Sequence, residues 1–98
     1  MKIVIQTLDF VISGQLESFI TNSLEKLLRH PVSIVRAELI LGEDHTNAAR
    51  PKFCNIRLIT VGTGYLVAQH GVSYEEAVAA ATEELHKKLK KDTSDSLT

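Results

Sequence analysis

Four histidines, one cysteine and a lysine-rich run are the residues of this chain whose types could do chemistry. His30, His45, His70 and His86 share no H-x-x-x-H spacing, and Cys54 has no second cysteine with which to form a C-x-x-C pair. The ligand patterns of a metal site are therefore missing. Cys54 falls on the same side of its segment as Ile56 and Leu58, which predicts a buried, inert thiol rather than a nucleophile. Gly62-Thr63-Gly64 has the composition of a phosphate loop, but no helical pattern follows it. No helix N-terminus is there to receive an anion. Glu75-Glu76 and Glu83-Glu84 are sequence neighbours and so diverge toward solvent on a helix. The expectation is a protein that is not an enzyme, with no cofactor, no metal and no small-molecule substrate.

Positive charge is what remains. Lys87, Lys88, Lys90 and Lys91 put four of the eleven Lys and Arg residues within five positions, in a chain of formal net charge −1. Such a gathering of charge at one helix end can mark a contact surface. It can also be ordinary helix chemistry, because cations in a last turn complement the macrodipole. Glu83 with Lys87 and Glu84 with Lys88 have the i,i+4 spacing of helical ion pairs, each contributing only a few tenths of a kcal/mol. Lys90 and Lys91 have no carboxylate four residues upstream and are the freest charges.

The elements that must position these residues follow from periodicity. Lys2 to Gln6 is short, β-branched and alternating, a first strand. Ser13 has the character of an N-cap for a helix over 14–30, with Leu16, Phe19, Ile20, Leu24 and Leu27 on one stripe. Pro31 stops that helix. A strand over 32–41 alternates Val35, Ala37, Leu39 and Leu41 against Ile34, Arg36, Glu38 and Ile40. A polar loop over 42–50 leads to a strand over 51–61, a turn at Gly62-Thr63-Gly64, and a fourth strand over 65–70.

The closing helix starts at a capping box, Ser73 with Glu76. It runs to about Lys91 and buries Tyr74, Ala77, Val78, Ala81, Leu85 and Leu89. With Leu85 at zero on the helical wheel, Leu89 falls at about 40° and the four lysines between about 140° and 300°, opposite the core. The predicted fold class is α+β, a two-layer β-α-β-β-β-α arrangement with a four-stranded sheet and both helices on one face. Residues 1–91 form one domain, and 92–98 are expected to be a disordered tail.

Composition is that of an ordinary globular protein, 44% hydrophobic and 23% charged. A single domain of this size buries somewhat over ~60% of its unfolded surface, which leaves little room for a deep substrate cavity. No secretory h-region and no apolar run of about 20 residues is present, so no membrane association is expected. The lone cysteine fits a cytoplasmic location.

Further cations could join the lysines. Lys26 and Arg29 lie on the polar side of the first helix, with Glu25 spaced to pair with Arg29. Arg36 and Arg57 project from neighbouring strands on the face away from the helices, where Arg57 can pair with Glu38. That face also carries Ile34, Ile40 and Ile59, a half-apolar surface that the 42–50 loop can cover or a partner can contact.

With these elements in order, the chain resembles the short ribosome hibernation promoting factors, also called ribosome-associated inhibitors or sigma-54 modulation proteins. The likeness spans roughly residues 2 to 91. It rests on Ile3-Val4-Ile5, on Ile12-Ser13 with Leu16, Phe19, Ile20, Leu24, Lys26 and Leu27, on Gly71 with Ser73-Tyr74-Glu75-Glu76-Ala77-Val78, and on Leu85 with Lys88-Leu89-Lys90-Lys91. The resemblance implies a partner, the small ribosomal subunit and its rRNA. The protein would lie in the channel that messenger and tRNA occupy and would silence translation under stress or in stationary phase.

Lys26, Arg29, Arg36, Arg57, Lys87, Lys88, Lys90 and Lys91 are the candidate nucleic-acid-binding residues. Glu17 and Ser23 depart from the family, standing where Arg or Lys is frequent in relatives. That departure implies weak, salt-sensitive binding, or a paralogue without ribosome affinity. The alternative function is a protein-interaction module, a weak homodimer formed through the Ile34/Ile40/Ile59 face.

Overall fold

Four strands and two helices follow one another in the order the hydrophobic pattern requires. The computed structural model describes residues 1–96, with side chains as far as Asp92. Strand β1 (Lys2–Thr7) leads to helix α1 (Gly14–Glu25), which tightens into a 3₁₀ turn (Lys26–Arg29). Strands β2 (Ile34–Glu43), β3 (Lys52–Thr60) and β4 (Thr63–Gly71) follow, and helix α2 (Tyr74–Ser96) closes the chain. The sheet order is β1-β2-β3-β4, with β1 parallel to β2 and the other neighbours antiparallel. This is the predicted α+β architecture.

Both helices cover one face of the sheet. Leu16, Ile20, Leu24 and Leu27 from the first helical segment meet Ala77, Val78, Ala81, Leu85 and Leu89 from α2. Beneath them lie Ala37, Leu39, Leu41, Cys54, Ile56, Leu58 and Val67 of the sheet. Burial pushes the Cys54 thiol up to about 12, so it carries no thiolate at neutral pH and is a core residue.

Local chemistry explains the element ends. The Leu16 N–H donates to Ser13 Oγ at 3.1 Å, the N-cap bond the sequence predicts. At the other end His30 is extended, at φ −79° and ψ 142°, as a residue before proline must be. The predicted helix over 14–30 therefore ends its α geometry at Glu25 and finishes in tighter turns. Ser73 caps α2 by accepting from the Glu76 N–H at 3.1 Å. Only half of the capping box forms, because the Glu76 carboxylate turns to Arg50 at 3.5 Å. Gly62 takes φ 91°, so the chain reverses at Val61-Gly62 and Thr63 already pairs with Thr60. The fourth strand thus begins two residues before its expected start.

Two further expectations are corrected. A β-bulge between Ile34 and Arg36 exchanges the faces of two residues. Ile34 is buried and Val35 is 52% exposed, the reverse of the plain alternation. The outer sheet face therefore loses Ile34. In addition, α2 continues as helix to Ser96 rather than stopping near Lys91. No proline or glycine interrupts the segment after Lys91, so nothing local breaks the helix. The tail expected over 92–98 falls partly on residues 97–98, which lie outside the described residues. Among the described residues no helix is long and apolar enough to cross a membrane.

Candidate nucleic-acid interface

The extension of α2 changes what its lysines are. Lys87, Lys88, Lys90 and Lys91 are all exposed, and the last turn of the helix contains no basic residue. The macrodipole attraction for cations fades within a single turn of the helix end. Dipole compensation therefore does not account for a cluster that ends more than one turn short of Ser96.

Ion pairing separates the four lysines further. Lys88 reaches Glu84 at 3.9 Å, the i,i+4 contact the spacing predicts. Glu84 also accepts a 2.7 Å hydrogen bond from Gln69 Nε2 on β4, which turns this side of α2 toward the sheet edge. The expected Glu83–Lys87 ion pair does not form, and among the described residues Lys87, Lys90 and Lys91 make no ion pair. Among the described residues, Lys88 is thus partly neutralised and the other three have no carboxylate within ion-pair distance.

The fold brings the first helical segment's cations to the same place. Arg29, His30, Glu83, His86, Lys87 and Lys90 line an open cleft of about 460 Å³ between the 3₁₀ turn and α2. Lys26 lines the adjoining groove with Phe19, Ser23, Glu83 and His86. The Glu25–Arg29 pair expected of a continuous α-helix is not made, because the chain leaves α geometry between those two residues. Arg29 is left exposed beside the cleft. Lys26, Arg29, Lys87 and Lys90 thereby converge around one carboxylate, Glu83, and Lys91 follows on the solvent side of α2.

Within the cleft, His30 Nε2 and His86 Nδ1 lie 2.9 Å apart and share a hydrogen bond. Burial, the His30 ring and the Arg29 and Lys26 charges hold the His86 imidazole below its ordinary value, against an opposing pull from Glu83. The histidine spacing in sequence hides this contact, since the two residues are 56 positions apart.

Arg36 and Arg57 sit elsewhere, on the outer face of the sheet. Both close on Glu38: Arg57 Nη1 at 3.9 Å, as the strand register predicts, and Arg36 Nε at 3.2 Å. The Arg36 contact is a charge pair without hydrogen-bond geometry, since its buried Nε has no hydrogen-bond partner. Around this group the apolar side chains of Val4, Ile40 and Leu66 are exposed, Leu66 by 73%. The 42–50 loop does not cover them. Its contacts are at the sheet end, where Asp44 meets His70 at 3.1 Å and Arg50 meets Glu76.

A third cluster, at the start of α2, was not foreseen. The Phe10 and Tyr74 rings stack at 4.5 Å, Lys52 Nζ stands 5.1 Å from the Tyr74 ring centroid, and Lys52 pairs with Glu43. Its charges compensate each other. Among the described residues no group of three or more His, Cys, Asp or Glu side chains could hold a metal.

The two-layer fold thus presents a solvent-facing basic cleft between the 3₁₀ turn and α2. The sequence matches the family described as sigma 54 modulation protein / S30EA ribosomal protein over residues 3–94, and the chain belongs to that family. The family is one of ribosome-associated factors rather than enzymes. No curated protein matches the sequence.

Two solved structures share the fold. The N-terminal domain of Protein Y from Thermus thermophilus superposes with a TM-score of 0.80 at 16% identity, covering 93% of this chain and 98% of that one. A ribosomal subunit interface protein from Coxiella burnetii also gives 0.80 at 16% identity, covering 96% and 99%.

Proposed function

We propose that the protein binds the small ribosomal subunit in the channel used by messenger and tRNA, and silences translation by occupying it. The observation that carries this reading is the convergence of Arg29, Lys87 and Lys90 on one cleft, with Lys26 in the adjoining groove, in a chain whose net charge is −1. Six of the eleven Lys and Arg residues belong to the helix-side set once Lys88 and Lys91 are included. Charge gathered on one face while the whole stays near neutral serves contact with a polyanion better than solubility. Membership in a ribosome-associated family supports ribosomal RNA as the proposed polyanion. The mechanism is steric: phosphate contacts position the protein without reading bases, and its bulk excludes the natural occupants.

The test is co-sedimentation with small subunits across a salt series. Three to five phosphate contacts give a log-log salt slope of roughly −2 to −4.5. Folded protein that fails to co-sediment even at low salt would remove the proposal. Lys90→Glu with Lys91→Glu is expected to abolish binding while leaving the melting temperature nearly unchanged. Loss of translation in an extract to which the protein is added tests the silencing step separately from binding.

The exposed Leu66, Val4 and Ile40 side chains favour a second reading, self-association through the outer sheet face. A salt-insensitive dimer by light scattering, without RNA affinity, would put that reading first.

A further inference from the structure

The His30–His86 contact has no part in simple phosphate binding by lysine and arginine. Its two ring nitrogens, 2.9 Å apart, have room for one hydrogen between them. The pair is therefore bridged either as two neutral rings or as one imidazolium donating to one imidazole, and full protonation of both rings breaks the bridge. His30 reaches the cleft from the extended residue that follows the 3₁₀ turn, and His86 from α2.

The groups facing the pair are Lys26 and Arg29 from the first helical segment, with Glu83, Lys87 and Lys90 from α2. Four cations against one carboxylate oppose a further proton. That surrounding charge also argues against a metal, which would have to enter among the same cations. An anion meets the opposite condition. Seated beside Arg29 and Lys90, it brings negative charge close to the pair and favours the pair's charged form.

We propose that this cleft is a proton-linked phosphate site, in which a phosphodiester of RNA and one proton from solvent bind together, the proton entering the His30–His86 pair. The inference rests on the RNA-binding reading above and adds its regulation: the basic face grips more tightly as pH falls through the imidazole range. By linkage, each unit by which a bound phosphate raises the midpoint of the pair corresponds to a tenfold gain in affinity once the pair is charged.

The experiment is an NMR titration of the imidazole signals of the full chain, with and without a uridine hexanucleotide lacking terminal phosphates, at matched ionic strength. Phosphodiesters do not titrate near neutrality, so any shift in midpoint belongs to the protein. The expected result is a midpoint raised by about one unit, with Arg29 and Lys90 signals perturbed together. The rise is lost in His86→Gln and reduced in Arg29→Gln; the second variant changes an exposed residue and keeps the test valid if the first unfolds. A midpoint indifferent to the oligonucleotide overturns the proposal.

Small-subunit affinity at pH about 8 and about 6 provides the companion measurement, with wild type tightening at least threefold and His86→Gln remaining flat. An equal pH response in both proteins also overturns the proposal. If the midpoint rises but ribosomes do not co-sediment, the phosphate site stands and the proposed ribosomal function falls.

Discussion

The helix side and the outer sheet face carry the same kinds of charged residue, and they use them differently. On the sheet, Arg36 and Arg57 flank Glu38 because a strand places residues two apart on one face and the register sets Arg57 opposite. Two cations share one anion, which offsets one of the two positive charges. On the helix side, Arg29, Lys87 and Lys90 face an open cleft whose one carboxylate, Glu83, pairs with none of them within ion-pair distance. The helix side holds the larger share of the basic residues, but number alone does not set these regions apart. What distinguishes them is how near each cation stands to a carboxylate, and that is a property of the packing.

The largest expected effect comes from reversing charge on each face in turn. Arg29→Glu with Lys90→Glu should weaken small-subunit binding by about a hundredfold or more, at roughly one decade per lost phosphate contact near physiological salt. Arg36→Glu with Arg57→Glu should change it by no more than about threefold. Equal losses from the two double variants would break the contrast between the faces.

A smaller effect tests whether the cleft depends on how α2 is seated. A Cβ on Gly71 would lie 2.7 Å from the Ala77 backbone nitrogen and 2.9 Å from Glu76 Cβ. Gly71→Ala must therefore move the start of α2, destabilising the fold by about 1–3 kcal/mol in denaturant melts. Its binding should weaken with the helix-side contacts, while the arginine–Glu38 group on the sheet is unchanged. Smaller still, Glu38→Gln removes the shared carboxylate. Nonspecific RNA binding should rise a few-fold, with stability altered by less than about 1 kcal/mol.

The smallest effect is on stability against pH. The His86 imidazole is held below its ordinary value in the folded chain. The unfolded chain thus takes up a proton at a higher pH than the folded one does. Stability should fall as pH drops below the ordinary imidazole value, and this contribution should level off below the folded value. His86→Gln should remove that component of the acid limb, as read by melting temperature across pH.

Most of the fold is legible in local patterns. The N-cap at Ser13, the core stripe of α2 and the outward position of its lysines all follow from spacing along one segment. Illegible features involve either a one-residue irregularity or a distant partner. The bulge at Ile34–Arg36 leaves no trace in the pattern, because Ile34 and Val35 are both β-branched and apolar and either could face the core. The end of α2 is also obscured, because the Ser, Thr and Asp residues after Lys91 look like a tail while no breaker forces one. Glu76 satisfies the capping-box spacing and still leaves Ser73 for Arg50, since a loop charge is a better partner for a carboxylate than one backbone N–H.

The amino-acid sequence by itself determined the element order, the core faces and the existence of a lysine cluster, because these depend on periodicities of 2 and 3.6 within single segments. It also held enough family character to place the chain among the sigma 54 modulation and S30EA ribosomal proteins. Only the tertiary structure decided which cations stand near a carboxylate, that Arg29 and Lys90 share a cleft, and that His30 meets His86. Those outcomes turn on separations of about 3 to 4 Å between side chains from different elements, and charge interactions at that range depend on distance and burial rather than on sequence spacing.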